Sequence, residues 1–581
     1  MCLSHPQCCR TASGASSVHP QNAKLPSRCV DVSGEVPRLE PTAGKFGAYV
    51  ALSHRWNAGT EESKTTTANI DQRYSERGLG WQPQIFRDAM RITKSLGIRY
   101  IWMDSLCIIQ SGDAGADWLQ EASLMARYYQ QAILTISAPG STPSRSILTR
   151  RAHDPFRSLL RMPYRNSKGT VQGSFYLYQP CTRSSQLYAK HVRQSELLSR
   201  GWIFQEWFLS RRIIYYTPQE LFFECNTDDP KSERQQSMTA THEHDLSSRI
   251  RSRSSGFEQW YRLVELYSNT KLTRPEQDRI IALSGIAHEF REGLKVSVSS
   301  ERFLLGYAAG LWTADTHRGL LWQSSSQDGN ICSCDAPSWS WATHMDGVTW
   351  LPRAVRTTKH LEVISFTNAL GSHVLSEMAP HRTVSDRDDP EDPSTKDTIG
   401  KDLMSASGSL TIKAKLNWVY IDNNLEYPNH DGSGIRKVLD YTTVETLARE
   451  TGVDLPEDYT EWNSNPLCQR AGDWRFICSI SQQVIIGGWA LFENSDARLS
   501  NQLERYGGFT IRALHVSTRH RIAPGGRSFS TKLYMYNDVY DVLFVEQLGE
   551  GVFRRVGIGR VMSKQIEREF DGVEEEILML V

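Results

Sequence analysis

The chain has 581 residues, enough for several domains and a large core. Its 66 Lys and Arg balance 66 Asp and Glu, so the overall charge favours neither nucleic acid nor an anionic membrane as a default partner. The 11 Cys are scattered, odd in number and without a C-x-x-C pair, which argues against a secreted disulfide scaffold and for reduced thiols in a cytosol-like compartment.

The N-terminus lacks the apolar stretch of a signal peptide, and no run reaches the ~18 apolar residues of a spanning helix. The expectation is a soluble, cytoplasmic chain with no membrane span and no nucleic-acid partner. Residues 1–24, rich in Ser, His, Pro and Cys, read as a disordered tail.

From 46 to 138 the pattern alternates strand and helix. FGAYVALS (46–53) reads as a first buried strand, and Lys64 to Gly80 as loop or short surface helix. Pro83 suits the first turn of a helix whose Ile85, Ala89, Ile92 and Leu96 share one face. Gly97 can close that helix in the left-handed conformation. Ile98 to Met103 follow as a strand covered on both faces. A helix from about Ala116 to Gln131 and a strand at 132–138 complete the run. The β-α-β-α-β order predicts an α/β, doubly wound, mostly parallel sheet with helices on both faces. RIIYY (212–216) and LFFEC (221–225) read as a hairpin, and residues 139–195 as Arg- and Ser-rich connections with short strands.

Residues 226–255 are polar and read as a mobile loop, 256–350 as a helical segment, and 351–408 as a linker with strand-like stretches. Residues 409–581 read as mainly β, from SLTIKAKL (409–416), VIIGGWALF (484–492), FTIRALHV (509–516), DVLFVEQL (541–548) and VFRRVGIGRVM (552–562). Sandwich and barrel both fit.

In open α/β sheets, ligands bind outside the carboxyl ends of the strands. Asp104 and Gln110 follow one predicted strand, and Ser53, Arg55 and Trp56 end another, so these side chains converge on one rim. Trp56 as packing and Arg55 as a surface ion pair are the plainer alternative. In SRGWIFQEWFLSRR (199–212), Glu206 lies among Trp202, Phe204, Trp207 and Phe208. A carboxyl desolvated by aromatic surface can serve as acid, base or charge stabiliser. Pairing with Arg200, Arg211 or Arg212 is the structural alternative. Cys107 is a buried hydrophobe in one reading and a nucleophile with His54 as its base in another. Asp113 and Asp117 lack the spacing of a calcium loop, Glu121 stands one turn beyond Asp117, and Cys332 and Cys334 have no second pair for zinc. No phosphate-binding glycine motif occurs, so no bound cofactor and no metal are expected.

YVALSHRWN, FRDAMRITKSLGIRYIWMDSLCIIQ, DWLQEASLMARYYQQAILTISA and SRGWIFQEWFLSRRIIYY resemble, in content, order and spacing, the fungal heterokaryon incompatibility (HET) domain. The likeness is close over about 49 to 225, within a domain bounded at 25–225. Weaker family-like runs follow, among them LSGIA (283–287) and APSWSWA (336–342). The family has Tyr-x-Trp-Gly after the first strand; here His54 and Asn57 stand at the Tyr and Gly positions.

The resemblance implies fungal non-self recognition and regulated cell death. The family is remotely similar to Toll/interleukin-1 receptor (TIR) domains, innate-immunity modules, some of which cleave NAD with a glutamate. That similarity implies hydrolysis of the N-glycosidic bond of NAD or a related nucleotide, with NAD as substrate. Glu206 and Asp104 would be catalytic, and Ser53, Arg55, Trp56, Gln110 and Trp202 would bind the ligand. The alternative is a non-catalytic interaction module that triggers death by assembly with a protein partner or with itself.

Overall fold

The computed structural model describes residues 8, 22–140, 146–149, 160–177, 184–226, 230–233, 256–297, 306–325, 332, 335–350, 356–374, 401–422, 426–428, 435–437, 474–478, 486–493, 508–520, 539–561 and 564–581. Nearly all of the expected disordered tail, most of the polar loop at 226–255 and residues 375–400 of the linker lie outside them. The chain divides into two compact units. Unit 1 holds Met1–Ser255, Gly285–Val298 and Pro393–Thr398; unit 2 holds Gly256–Ser284, Ser299–Asp392 and Ile399–Val581.

The strands of unit 1 are β1 (Arg28–Asp31), β2 (Arg38–Pro41), β3 (Tyr49–Ser53), β4 (Tyr100–Trp102), β5 (Leu134–Ser137), β6 (Leu160–Arg165), β7 (Val171–Leu177), β8 (Arg212–Tyr216), β9 (Leu221–Cys225) and β10 (Lys231–Ser232). Eight of them form one sheet in the order β10-β9-β8-β5-β3-β4-β1-β2, while β6 and β7 pair only with each other. The β8, β5, β3 and β4 block is parallel. The sheet is therefore mixed rather than mostly parallel. Short turns join β1 to β2 and β8 to β9, and short turns can make only antiparallel pairs. The expected hairpin at 212–225 has the boundaries read from the sequence.

The α-helices before residue 300 are α1 (Ala58–Glu62), α2 (Ile70–Tyr74), α3 (Gln84–Ser95), α4 (Asp104–Cys107), α5 (Ala116–Gln131), α6 (Ser184–Tyr188), α7 (Gly201–Leu209), α8 (Phe257–Ser268) and α9 (Pro275–Ser297). Pro83 caps α3, which buries Ile85, Phe86, Ala89 and Met90; Leu96, expected on that face, is exposed. Gly97 has φ 72, and the N–H groups of Gly97 and Ile98 bond back to Lys94 O at 3.0 Å and Thr93 O at 3.2 Å. This left-handed cap turns the chain straight into β4. The core around the sheet joins Val50, Leu52, Ile101 and Trp102 of the strands to Ile85 and Phe86 of α3 and to Met125, Tyr128 and Tyr129 of α5.

Unit 2 begins with α8 and the first part of α9. The expected helical segment gives way after residue 306 to four short strands, β11 (Tyr307–Ala308), β12 (Leu311–Trp312), β13 (Trp322–Ser324) and β14 (Val348–Trp350). Further strands are β15 (Arg356–Lys359), β16 (Glu362–Asn368), β17 (Gly371–Val374), β18 (Ser409–Asp422), β19 (Glu426–Pro428), β20 (Ile435–Lys437), β21 (Trp474–Cys478), β22 (Ile486–Phe492), β23 (Gly508–His520), β24 (Val539–Gly549), β25 (Val552–Val561) and β26 (Glu575–Leu580). β18, β21, β22, β25, β24 and β23 pair in that order, and β23 pairs back with β18. All these pairs are antiparallel, so the ring closes as a barrel. The SWSW run buries Trp339 and Trp341, whose indole N–H groups hold Leu580 O at 3.1 Å and Gly310 O at 3.1 Å.

Candidate active site

In unit 1 the chain runs from β3 to β4 on one side, then crosses to β5 on the other side of β3. Connections diverge at the carboxyl end of β3, and such a switch point opens a crevice between loops. Ser53 ends β3, His54 follows it, and β4 leads through Met103 into Asp104, the first residue of α4. The fourth contributor is α7. Its apolar residues surround the axis, as expected of a buried helix, and Ile203, Phe204, Trp207, Phe208 and Leu209 are all covered. At its end Ser210 Oγ bonds Thr135 Oγ1 of β5 at 2.7 Å and donates to Glu206 O at 2.6 Å. On its other side Gln205 Oε1 accepts the Gly285 N–H at 3.0 Å.

These ties hold Glu206 against the rim, only 4 % exposed. Burial, reinforced by the neighbouring Asp104 carboxylate, pushes its carboxyl up to about 8, and the hydroxyls of Ser53 and Tyr129 and the charge of Arg200 act in the opposite sense. Asp104 is itself gripped. Trp56 Nε1 donates to its Oδ2 at 2.7 Å, the Ser105 N–H to its Oδ1 at 2.7 Å, and Gln110 Nε2 to its carbonyl at 2.9 Å. His54 Nδ1 lies 3.8 Å from Asp104 Oδ1. Burial first, then Arg200, lowers the His54 pKa against the pull of Asp104, so the ring is neutral.

Four buried polar atoms at this rim have no hydrogen-bond partner: both ring nitrogens of His54, Ser105 Oγ and Glu206 Oε2. Buried polar groups are nearly always paired with protein or water, so this cluster leaves polar valences that a water or a polar ligand could meet. The arrangement offers a neutral carboxyl, an anchored carboxylate, a neutral imidazole and hydroxyls around one point.

Of the residues expected to form the site, Ser53, Trp56, Asp104, Gln110 and Glu206 come together. Arg55 turns to the surface and pairs with Glu196. Trp202 stands edge-on to Trp118 of α5, with ring centroids 5.7 Å apart. Glu206 forms no ion pair with Arg211 or Arg212, which reach the carbonyls of Gln131 and Ile133. Cys107 is fully buried, and burial pushes its thiol up to about 12, leaving it protonated and unreactive. Asp117 pairs with Arg28 at 2.5 Å, Asp113 accepts the Gly115 and Asp117 N–H groups, and Glu121 accepts the Tyr128 hydroxyl at 2.9 Å. These three belong to the start of α5 and to β1.

Sequence reasoning missed Tyr129 as a neighbour of Glu206, named Arg200 only as a structural ion-pair partner for Glu206, and gave His54 a chemical role only as a base for Cys107. Tyr129 falls within the helix read at about 116–131, but the sequence does not show the direction of its hydroxyl, which donates to Leu52 O at 3.2 Å beside Glu206. No curated protein and no solved structure matches the chain. Residues 49–206, from the first residue of β3 to Glu206 itself, match the family model described as Heterokaryon incompatibility protein (HET), and Ser53, His54, Trp56, Asp104, Gln110 and Glu206 all lie within the match.

Proposed function

We propose that the chain is an effector of heterokaryon incompatibility, acting in non-self recognition and regulated cell death, and that its rim hydrolyses the N-glycosidic bond of NAD or a related nucleotide. The family match supports the first part. The second rests on Glu206, a carboxyl raised to about 8 with an unpaired oxygen, beside Asp104 at the carboxyl rim of parallel strands. It also draws on a TIR-like analogy of fold.

NAD brings a positively charged pyridinium to the rim. That charge favours ionisation of Glu206, so substrate binding converts a neutral acid into a carboxylate. The glycosidic C–N bond breaks, its electron pair passes to the pyridine ring, and the carboxylate stabilises the oxocarbenium-like ribosyl group. Asp104, fixed by Trp56 and Ser105, positions the ribose or the attacking water and accepts the proton that water releases. Ser53 and Gln110 line the pocket and the Trp56 ring flanks the nucleotide, whereas Arg55 and Trp202, engaged with Glu196 and Trp118, take no part.

The test is NAD consumption by the purified full chain and by Glu206→Ala. Turnover in the wild type that falls at least about a hundredfold in the variant is expected. Equal, background-level turnover in both would sink the proposal. One observation favours the alternative, a non-catalytic module that assembles with a partner: Ser53, His54 and Glu206 are each 4 % exposed or less.

A further inference from the structure

The β6–β7 hairpin projects a surface that the rim chemistry does not use. In its register Leu160 faces Leu177, Met162 faces Phe175 and Tyr164 faces Gly173. Directly opposed residues share a face, so every residue on this face is apolar, aromatic or glycine. On the other face Arg161 lies opposite Tyr176, Pro163 opposite Ser174 and Arg165 opposite Val171. The apolar face is open: Leu160 and Tyr164 are each 57 % exposed and Phe175 is 44 % exposed. An isolated two-stranded ribbon is marginal in water, so this one stands to gain from a partner that covers it.

Local charge indicates which partner. Residues 139–183, which contain the hairpin, hold eight Lys and Arg against a single Asp, in a chain whose total charge is zero. Within 160–177 there is no acidic residue, and Arg161, Arg165 and Lys168 are exposed. An acidic protein or a nucleic acid would satisfy the basic face and leave the apolar one bare. A bilayer with anionic headgroups satisfies both, as it does for amphipathic helices that lie in the interface. Unpaired strand edges bar a ribbon from the hydrocarbon interior, which limits it to headgroup depth, where Tyr is favoured.

We propose that the β6–β7 hairpin docks the protein on an anionic lipid surface, with Leu160, Met162, Tyr164 and Phe175 at the headgroup–acyl boundary and Arg161 and Arg165 on lipid phosphates. This inference is independent of the NAD reading. The test is flotation of the full chain with vesicles of phosphatidylcholine alone and of phosphatidylcholine mixed with phosphatidylserine. Binding to the mixed vesicles only, weakened by salt, is expected. Arg161→Gln with Arg165→Gln weakens it by about fivefold per charge removed. Tyr164→Ser with Phe175→Ser weakens it at low and high salt alike. All four positions are on exposed strands, and an unchanged melting midpoint in each variant excludes a folding defect. Equal flotation with both vesicle types, or variants that float like the wild type, would overturn the proposal. So would retention on single-stranded DNA, lost in the arginine variant, with no flotation.

Discussion

Glu206 is kept neutral by the fold at a pH where water would ionise it. Its carboxyl rises from 4.5 to about 8 on folding. An acid raised in this way destabilises the folded state: the cost is absent below about pH 4.5, grows as the pH climbs, and levels off above about pH 8, reaching on the order of 5 kcal/mol. Glu206→Gln keeps the shape and removes the titration. The variant should match the wild type in urea midpoint near pH 4.5 and exceed it near pH 8.5. Activity has a related signature. The ionised form is the working one, so kcat/KM for NAD should rise with pH to a plateau just above pH 8. Asp104→Asn removes the neighbouring charge that helps to raise Glu206, so the acid limb of that profile should move to lower pH, whatever happens to the plateau. A merely structural Asp104 would leave the limb in place. The aromatic neighbours of Glu206 were visible in the sequence. Its approach to Asp104, about a hundred positions earlier, was not, because it depends on how α7 lies on β5.

Gly285 shows how an element positions that residue. It lies inside α9, where glycine costs helix stability, and a Cβ built there would stand 2.4 Å from Ala126 Cβ and 2.5 Å from Gln205 Oε1. The glycine lets α9 close on α5 and α7, which accounts for the LSGIA run. Gly285→Ala should cost about 1–3 kcal/mol of stability and lower turnover by displacing the residue next to Glu206. Adding Ala126→Gly relieves the contact, so thermal melts of the double variant should show partial recovery rather than an additive loss. Elements with their own period were legible, such as α5 and the β8–β9 hairpin. The α7 segment was not read as a helix because it is apolar all round and shows no amphipathic stripe. β1 and β2 were missed because strands of four residues carry too little pattern.

At the scale of the whole molecule, a zero net charge concealed a strongly basic stretch at residues 139–183, so the overall balance said nothing about local partners. The mainly β character of residues 409–581 was readable, but its closure was not. That depends on β21, five residues with no clear alternation, and on β18, long enough to pair with different strands along its 14 residues. The closed ring has a consequence for communication between copies. Growth by strand addition needs an open edge, and among the described residues the ring has none; β15 and β17, which extend the sheet beyond it, are strands of only four residues. The six strands of the ring thereby offer no edge for templated growth, in which one copy's edge recruits the next and a state propagates.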